Sequence, residues 1–128
     1  MTQRVSVALL AVLLLSACAT TSTGEPRPQR DLITGDEIEA VNASNLYEVV
    51  ERLRPRWLDI RARRSFNDVT ELVVFQGQTY LGGPEILREF GKDVAYAIRY
   101  LDGSTASATL PGMGTRQLEG AIVINPRR

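Results

Sequence analysis

The sequence predicts an α+β domain in which short helices pack on one mixed sheet of about four to five strands. Four observations carry that expectation. Leu46, Val49, Val50 and Leu53 fall at i, i+3, i+4 and i+7, one apolar stripe along a helix. ELVVFQGQTYL, residues 71–81, reads as two strands around a glycine turn. Residues 94–101 alternate, and AIVIN, residues 121–125, is a short run suited to a strand buried on both faces.

The elements follow in order. Thr34 with Glu37 three residues on has the spacing of a capping box, and Asp36 adds negative charge to the first turn, so a short helix is expected over 36–41. Ser44 or Asn45 can cap the next helix, and Pro55 ends it because proline disfavours helix at Arg54. Trp57, Leu58 and Ile60 suggest a short strand, followed by a polar loop, RARRSFNDVT. Leu72 to Phe75 is apolar on both faces, which suits a central strand, and Gln76-Gly77-Gln78 is the turn after it. Gly82-Gly83-Pro84 opens a short helix with Pro84 at its first position, and Ile86, Leu87 and Phe90 should face inward. In the next strand Val94, Tyr96, Ile98 and Tyr100 would share one face and Ala95, Ala97, Arg99 and Leu101 the other. Ser104 can cap a helical turn through TASATL; PGMGTRQLEG is a loop, and Pro126 closes the domain. The helix over 46–53 should pack on a sheet containing Val74, Ile98 and Ile122.

The N-terminus sets the address. Arg4 precedes an apolar run over residues 5–15, VSVALLAVLLL. That length matches the hydrophobic region of a secretory signal and falls short of the roughly 20 residues a membrane span needs. Leu15-Ser16-Ala17-Cys18 resembles the lipobox of bacterial lipoproteins, and Cys18 is the chain's single cysteine. The resemblance implies cleavage before Cys18, a lipid thioether on its sulfur and acylation of the new amine. More than one acyl chain makes such an anchor stable. Residue 19 is Ala rather than the Asp of the inner-membrane retention signal, which implies an outer-membrane address facing the periplasm. The expected organisation is a signal over 1–17, a linker over 18–31 and a domain over 32–126. ATTSTGEPRPQR, residues 19–30, is polar, small and proline-bearing, as a spacer should be.

Without the signal the chain keeps 14 basic and 15 acidic residues. So near-neutral a balance provides no global field for nucleic acid. Lys92 is the single lysine; the other basic residues are arginines.

ELVVFQGQ, then AYAIRYLDGSTASA, then EGAIVIN, together with Ile33-Thr34 and Glu37-Ile38, resemble the plug domain of TonB-dependent outer-membrane receptors. The match runs over about residues 32–126 and makes Asp102, Gly103 and Ser104 the plug-motif turn. It implies a plug-like fold that works by binding. The chain departs from that family at three points. LPGMGTRQLEG stands in place of the usual glycine-rich loop, and residues 19–30 carry no short apolar TonB-contact stretch. The sequence stops at Arg128 with no barrel after it, so the expectation is a plug-type domain that is not itself a transport channel.

The parts of common catalytic and metal sites are few. The chain has no histidine, and Cys18 is assigned to lipid, so zinc sites and Ser-His-Asp or Cys-His pairs lack their components. Neither an enzyme nor a cofactor or metal is expected. Asp36 with Glu37, and Asp59 with Asp68, are better read as solvated surface than as acid–base pairs. Gly112-Met113-Gly114 lacks the strand before it and the lysine after it that a phosphate loop requires. The one unusual cluster is basic: Arg52, Arg54, Arg56, Arg61, Arg63 and Arg64, with Trp57 and Phe66 interleaved. Arg61, Arg63 and Arg64 are the candidate interaction residues. They would meet phosphorylated lipid or an acidic protein patch, or else pair with Asp59 and Asp68 on a solvated face. The expected partners are the membrane through the lipid and an envelope protein, and no nucleic acid. The alternative is a small solute held after Asp102 by an accessory of an uptake system.

Overall fold

The computed structural model describes residues 29–59 and 70–128. They form an α+β domain on a five-stranded mixed sheet. In chain order the elements are β1 (Leu32–Ile33), α1 (Gly35–Ala40), α2 (Leu46–Leu53), β2 (Glu71–Gln76), β3 (Thr79–Gly82), β4 (Ala95–Asp102), α3 (Gly103–Thr109) and β5 (Leu118–Pro126). Short 3₁₀ turns cover Pro55–Trp57, Pro84–Glu89 and Lys92–Val94. The strand order is β1-β4-β5-β2-β3, with β2 and β5 parallel and every other pair antiparallel.

Local chemistry explains each helix. Thr34 and Glu37 close a reciprocal capping box: the Thr34 N–H donates to Glu37 Oε2 at 2.9 Å, and the Glu37 N–H donates to Thr34 Oγ1 at 3.4 Å. Two helix-end donors are thereby satisfied. At the other end of α1, Lys92 Nζ donates to the carbonyls of Val41 and Glu39 at 3.0 and 3.3 Å. The single lysine thus completes a helix C-terminus from a distant turn. Asn45 caps α2 by accepting the Glu48 N–H at 3.0 Å, while Glu48 reaches back to the Ser44 N–H at 2.9 Å.

The core has two faces because β2 and β5 alternate across the sheet. Leu72 and Val74 on β2, and Ile122 and Ile124 on β5, join Leu46, Val49 and Val50 of α2 on one side. Ile33, Ile38, Trp57, Leu87, Ala95 and Ile98 belong to the same cluster, with Leu53, Ile86 and Phe90 packed against it. Val73 and Phe75 point to the other side, where Ala106 of α3, Met113 and Ala121 meet them. The β2–β3 hairpin turns through Gly77, whose φ of +59° is what the first residue of a tight primed turn demands.

Four expectations need correction. No strand directly follows Pro55 among the described residues: Pro55–Trp57 is a 3₁₀ turn, Leu58 a turn residue, and Ile60 lies outside the described residues. Trp57 is buried there by packing rather than by pairing. The alternation of β4 breaks at Tyr96. Ala95 pairs with Pro126 and Ala97 with Asn125, so Tyr96 is the extra residue of a bulge and is 66% exposed. The bulge puts Ala95 with Ile98 in one core cluster, against strict alternation. Asp102, not Ser104, caps α3. The domain also starts earlier than residue 32: Leu32 N–H bonds the Gln29 carbonyl at 3.1 Å, and Tyr100 N–H bonds that of Asp31 at 2.9 Å.

Val50 is fully buried between α2 and the sheet. Val50→Asp should cost several kcal/mol, a large share of a typical ~5–15 kcal/mol stability. A thermal melt of the variant domain should show loss of the cooperative transition or a large drop in its midpoint. Gly103 makes a second test. A Cβ there would stand 1.9 Å from the Leu118 carbonyl oxygen, and its other near neighbours are backbone atoms too. Gly103→Ala should destabilise by about 1–3 kcal/mol or more through overpacking, read as a lowered urea midpoint.

Candidate functional site

The sheet gives the domain two ends. β4 finishes at Asp102 beside Gly120 of β5, and Leu72 near the start of β2 pairs with that same Gly120. The segment that precedes β1 also arrives at this end, since Asp31 bonds Tyr100. The chain outside the described residues therefore joins the domain at the pole where β4 ends and α3 starts.

Arg54 fastens that segment. Its guanidinium donates to the carbonyls of Leu53 at 2.9 Å, Leu32 at 3.0 Å and Gln29 at 3.4 Å, and to Glu37 Oε1 at 2.9 Å. The planar fork of five donors suits so many acceptors. Trp57 supports it by donating Nε1–H to the Arg30 carbonyl at 3.2 Å, and its ring stacks on Tyr100 with centroids 5.6 Å apart. Two grooves flank the entering chain. One, of about 660 Å³, is lined by Arg30, Leu53, Pro55, Arg56, Trp57 and Tyr100. The other, of about 530 Å³, is lined by Gln29, Arg30, Arg99, Tyr100, Leu101 and Asp102.

Asp102 is held tightly. Its carboxylate accepts from the Thr105 N–H at 3.0 Å, from Thr105 Oγ1–H at 2.6 Å and from Ser104 Oγ–H. The Ser104 hydroxyl first, then the Thr105 hydroxyl and N–H, hold its carboxyl far below the usual carboxylate range. Such a group does not take a proton near neutral pH.

The expected site residues fare differently. Asp102, Gly103 and Ser104 stand together at the β4–α3 junction, where the chain passes straight from strand into helix. Gly103 is there because of its close approach to Leu118. Cys18, Arg61, Arg63 and Arg64 lie outside the described residues, as do Phe66 and Asp68. Arg54 leaves the basic cluster, since its side chain is only 15% exposed and paired with Glu37. Trp57 is 7% exposed with its ring committed to Tyr100, so it is no stacking platform for a nucleobase. Sequence reasoning missed Arg30 and Arg99. The available signal was a charge on the outer face of an alternating strand, and an arginine two residues before β1.

Among the described residues, no group of three or more His, Cys, Asp or Glu is placed to hold a metal ion. None of their helices is long and apolar enough to cross a membrane. Comparison with known proteins found no matching family model, no matching curated protein and no matching solved structure.

The Arg54 clasp makes stability depend on pH. Partial burial pushes the Glu37 carboxyl up, but hydrogen bonds from the Thr34 N–H and from Arg54, with the Arg54 charge, outweigh it and leave the carboxyl below its ordinary 4.5. A carboxyl lowered by folding contributes stability that is complete above its unfolded value and is lost as pH falls through the folded one. Wild type should therefore melt higher than Glu37→Gln at pH 7, and the gap should close below about pH 4.5. A constant gap down to pH 2 would uncouple Glu37 from the clasp. Arg54→Met should cost about 1.5–3 kcal/mol at pH 7, the range for hydrogen bonds to a charged group.

Proposed function

We propose that the chain is a bacterial lipoprotein whose plug-like domain acts by non-covalent binding, as an accessory to another envelope protein. Its signal is removed, Cys18 carries the lipid, and the domain faces the periplasm from the outer membrane. The observation that carries this reading is Leu15-Ser16-Ala17-Cys18, placed after an 11-residue apolar run and before a polar, proline-bearing spacer. The way that spacer meets the domain supports it. Gln29 and Leu32 are fastened by Arg54, so a force or a constraint on the anchor is delivered to a fixed end of the sheet.

Binding rather than catalysis suits the groups at that end. The best-held carboxylate, Asp102, caps a helix, and the chain contains no histidine. An extended partner segment could also add to the outer edge of the four-residue β3. One observation favours the solute-binding alternative: the groove beside Leu101 and Asp102, about 530 Å³, lies in the size range of small-molecule sites.

Cys18→Ala tests the anchor. The variant should lose incorporation of radiolabelled palmitate and move out of the membrane fraction or stay as uncleaved precursor. Palmitate entering the Cys18→Ala variant would refute the lipoprotein reading. Affinity purification from envelope membranes separates the two modes: enrichment of one envelope protein supports the accessory role. No enrichment, with solute-dependent thermal stabilisation, supports the solute role.

A further inference from the structure

We propose that the tether-side pole of the domain docks onto the phosphate headgroups of the bilayer that holds its anchor, through Arg30, Arg56 and Arg99. The inference rests on the lipoprotein reading for its geometry. It assigns a surface and a ligand chemistry that the reading itself does not contain.

The arginines of the domain sort into two kinds. Arg54, Arg88, Arg116 and Arg127 each meet a glutamate: Glu37, Glu85, Glu71 and Glu39. Arg30, Arg52, Arg56, Arg99 and Arg128 are exposed and meet no carboxylate among the described residues. Three of them, Arg30, Arg56 and Arg99, gather at one place. Arg30 lines both grooves of the pole, with Arg56 beside it in one and Arg99 in the other. Each presents a planar fork of donors that matches phosphate oxygens.

The place is the one a tether would bring to the membrane. Gln29 lines the same groove as Arg99 and lies eleven positions after Cys18. Fully extended, that stretch spans at most about 40 Å. As a flexible chain it spans on the order of 20 Å. The pole thus stays close to the lipid surface at high effective concentration, and weak contacts suffice. Near an anionic surface, three arginines shift association by about a hundredfold in all. Trp57 and Tyr100 line the groove that holds Arg30 and Arg56, so the buried indole lies close to the proposed contact.

Acids at this pole oppose the arginines and weaken docking. Asp31 lines both grooves, Glu51 and Asp59 line a neighbouring groove with Arg56, and Asp102 stays charged while bonded to Ser104 and Thr105. Docking is therefore modest, salt-sensitive and dependent on the anchor. An acidic protein patch would satisfy the same guanidinium groups, but only the bilayer is delivered to them by the chain itself.

Trp57 is the chain's single tryptophan, so it reports contact directly. The full lipidated chain is reconstituted into vesicles of phosphatidylcholine, alone or mixed with phosphatidylglycerol. Both contain a little headgroup nitroxide-labelled lipid, and flotation and Trp57 quenching are measured together. The chain should float with both. Quenching should be about twofold greater with phosphatidylglycerol and fall to the neutral level as salt rises from about 0.1 to 1 M, where the screening length shrinks from about 10 to 3 Å. The Arg30→Gln, Arg56→Gln, Arg99→Gln variant should keep its flotation and circular dichroism but lose the dependence on phosphatidylglycerol. Equal quenching in both vesicles, or a triple variant quenched like wild type, overturns the proposal. So does quenching indifferent to phosphatidylglycerol combined with salt-sensitive loss of a protein partner in the triple variant, which assigns the arginines to that partner. If the chain does not float with phosphatidylcholine, the anchor reading fails by itself. Docking is then read from flotation with phosphatidylglycerol, where arginine-dependent binding supports it and no binding refutes it.

Discussion

Arg54 is the contact on which the arrangement of the pole around β1 and the end of β4 depends. It follows the last residue of α2, and its guanidinium binds the carbonyl of that residue, two carbonyls of the segment around β1, and a carboxylate of α1. Three pieces of chain are thereby fixed relative to one another. β1 has only two residues, too few to hold an edge by ladder bonds alone. Its place comes from Ile33, fully buried opposite Ile98, and from the guanidinium on Leu32. Without the cation, Glu37 would be left part-buried with no charge partner, and the carbonyls would lose a charge-assisted donor.

That clasp also explains how one arginine in a basic stretch differs from its neighbours. Arg52 and Arg56 lie two residues to either side of Arg54 and are exposed, while Arg54 points under the incoming chain. The position is set by Pro55, which stops α2 and leaves Arg54 with φ −142° and ψ 60°, outside the helical region. A side chain leaving the helix there is aimed across the end of the sheet rather than into solvent. Trp57, one 3₁₀ turn on, then covers the same segment from the other side.

Much of the fold was legible because its signals are local. The capping box at Thr34 and Glu37, the stripe from Leu46 to Leu53 and the glycine of the β2–β3 turn each depend on residues within a few positions of one another. The failures are non-local. Nothing near Tyr96 announces a bulge: it arises where β4 must keep register with β5 while Gly35 sits against the Tyr96 carbonyl, a Cβ there standing 2.9 Å away. β1 is too short to show a period. Trp57 and Leu58 look like strand residues because burial favours the same side chains in a buried turn. Ser104 and Asp102 are both good caps, and the choice fell to the residue with two oxygens, able to serve Thr105 and Ser104 at once. In the candidate site the arginine type was legible, but which arginines stay unpaired depends on where distant glutamates fold.

The pole where β4 ends combines a closely packed frame with exposed cations. Gly103 lies against the Leu118 carbonyl and Gly120 against the Tyr100 ring, so backbone and ring approach one another with no room for a Cβ. Trp57 on Tyr100 and the Asp102 cap complete that frame. Arg30, Arg56 and Arg99 stand on it as long, exposed side chains that meet no carboxylate among the described residues. A catalytic site needs the reverse, because reacting groups must be locked by their neighbours before substrate arrives. Ordering a free arginine costs up to about 2 kcal/mol of side-chain entropy, which a single fixed partner would have to offset for each residue. A fluid headgroup layer does not impose that cost, since phosphates move to the arginines instead. The combination of a closely packed frame and exposed cations is therefore matched to a surface that is charged and adaptable more than to one small ligand of fixed shape.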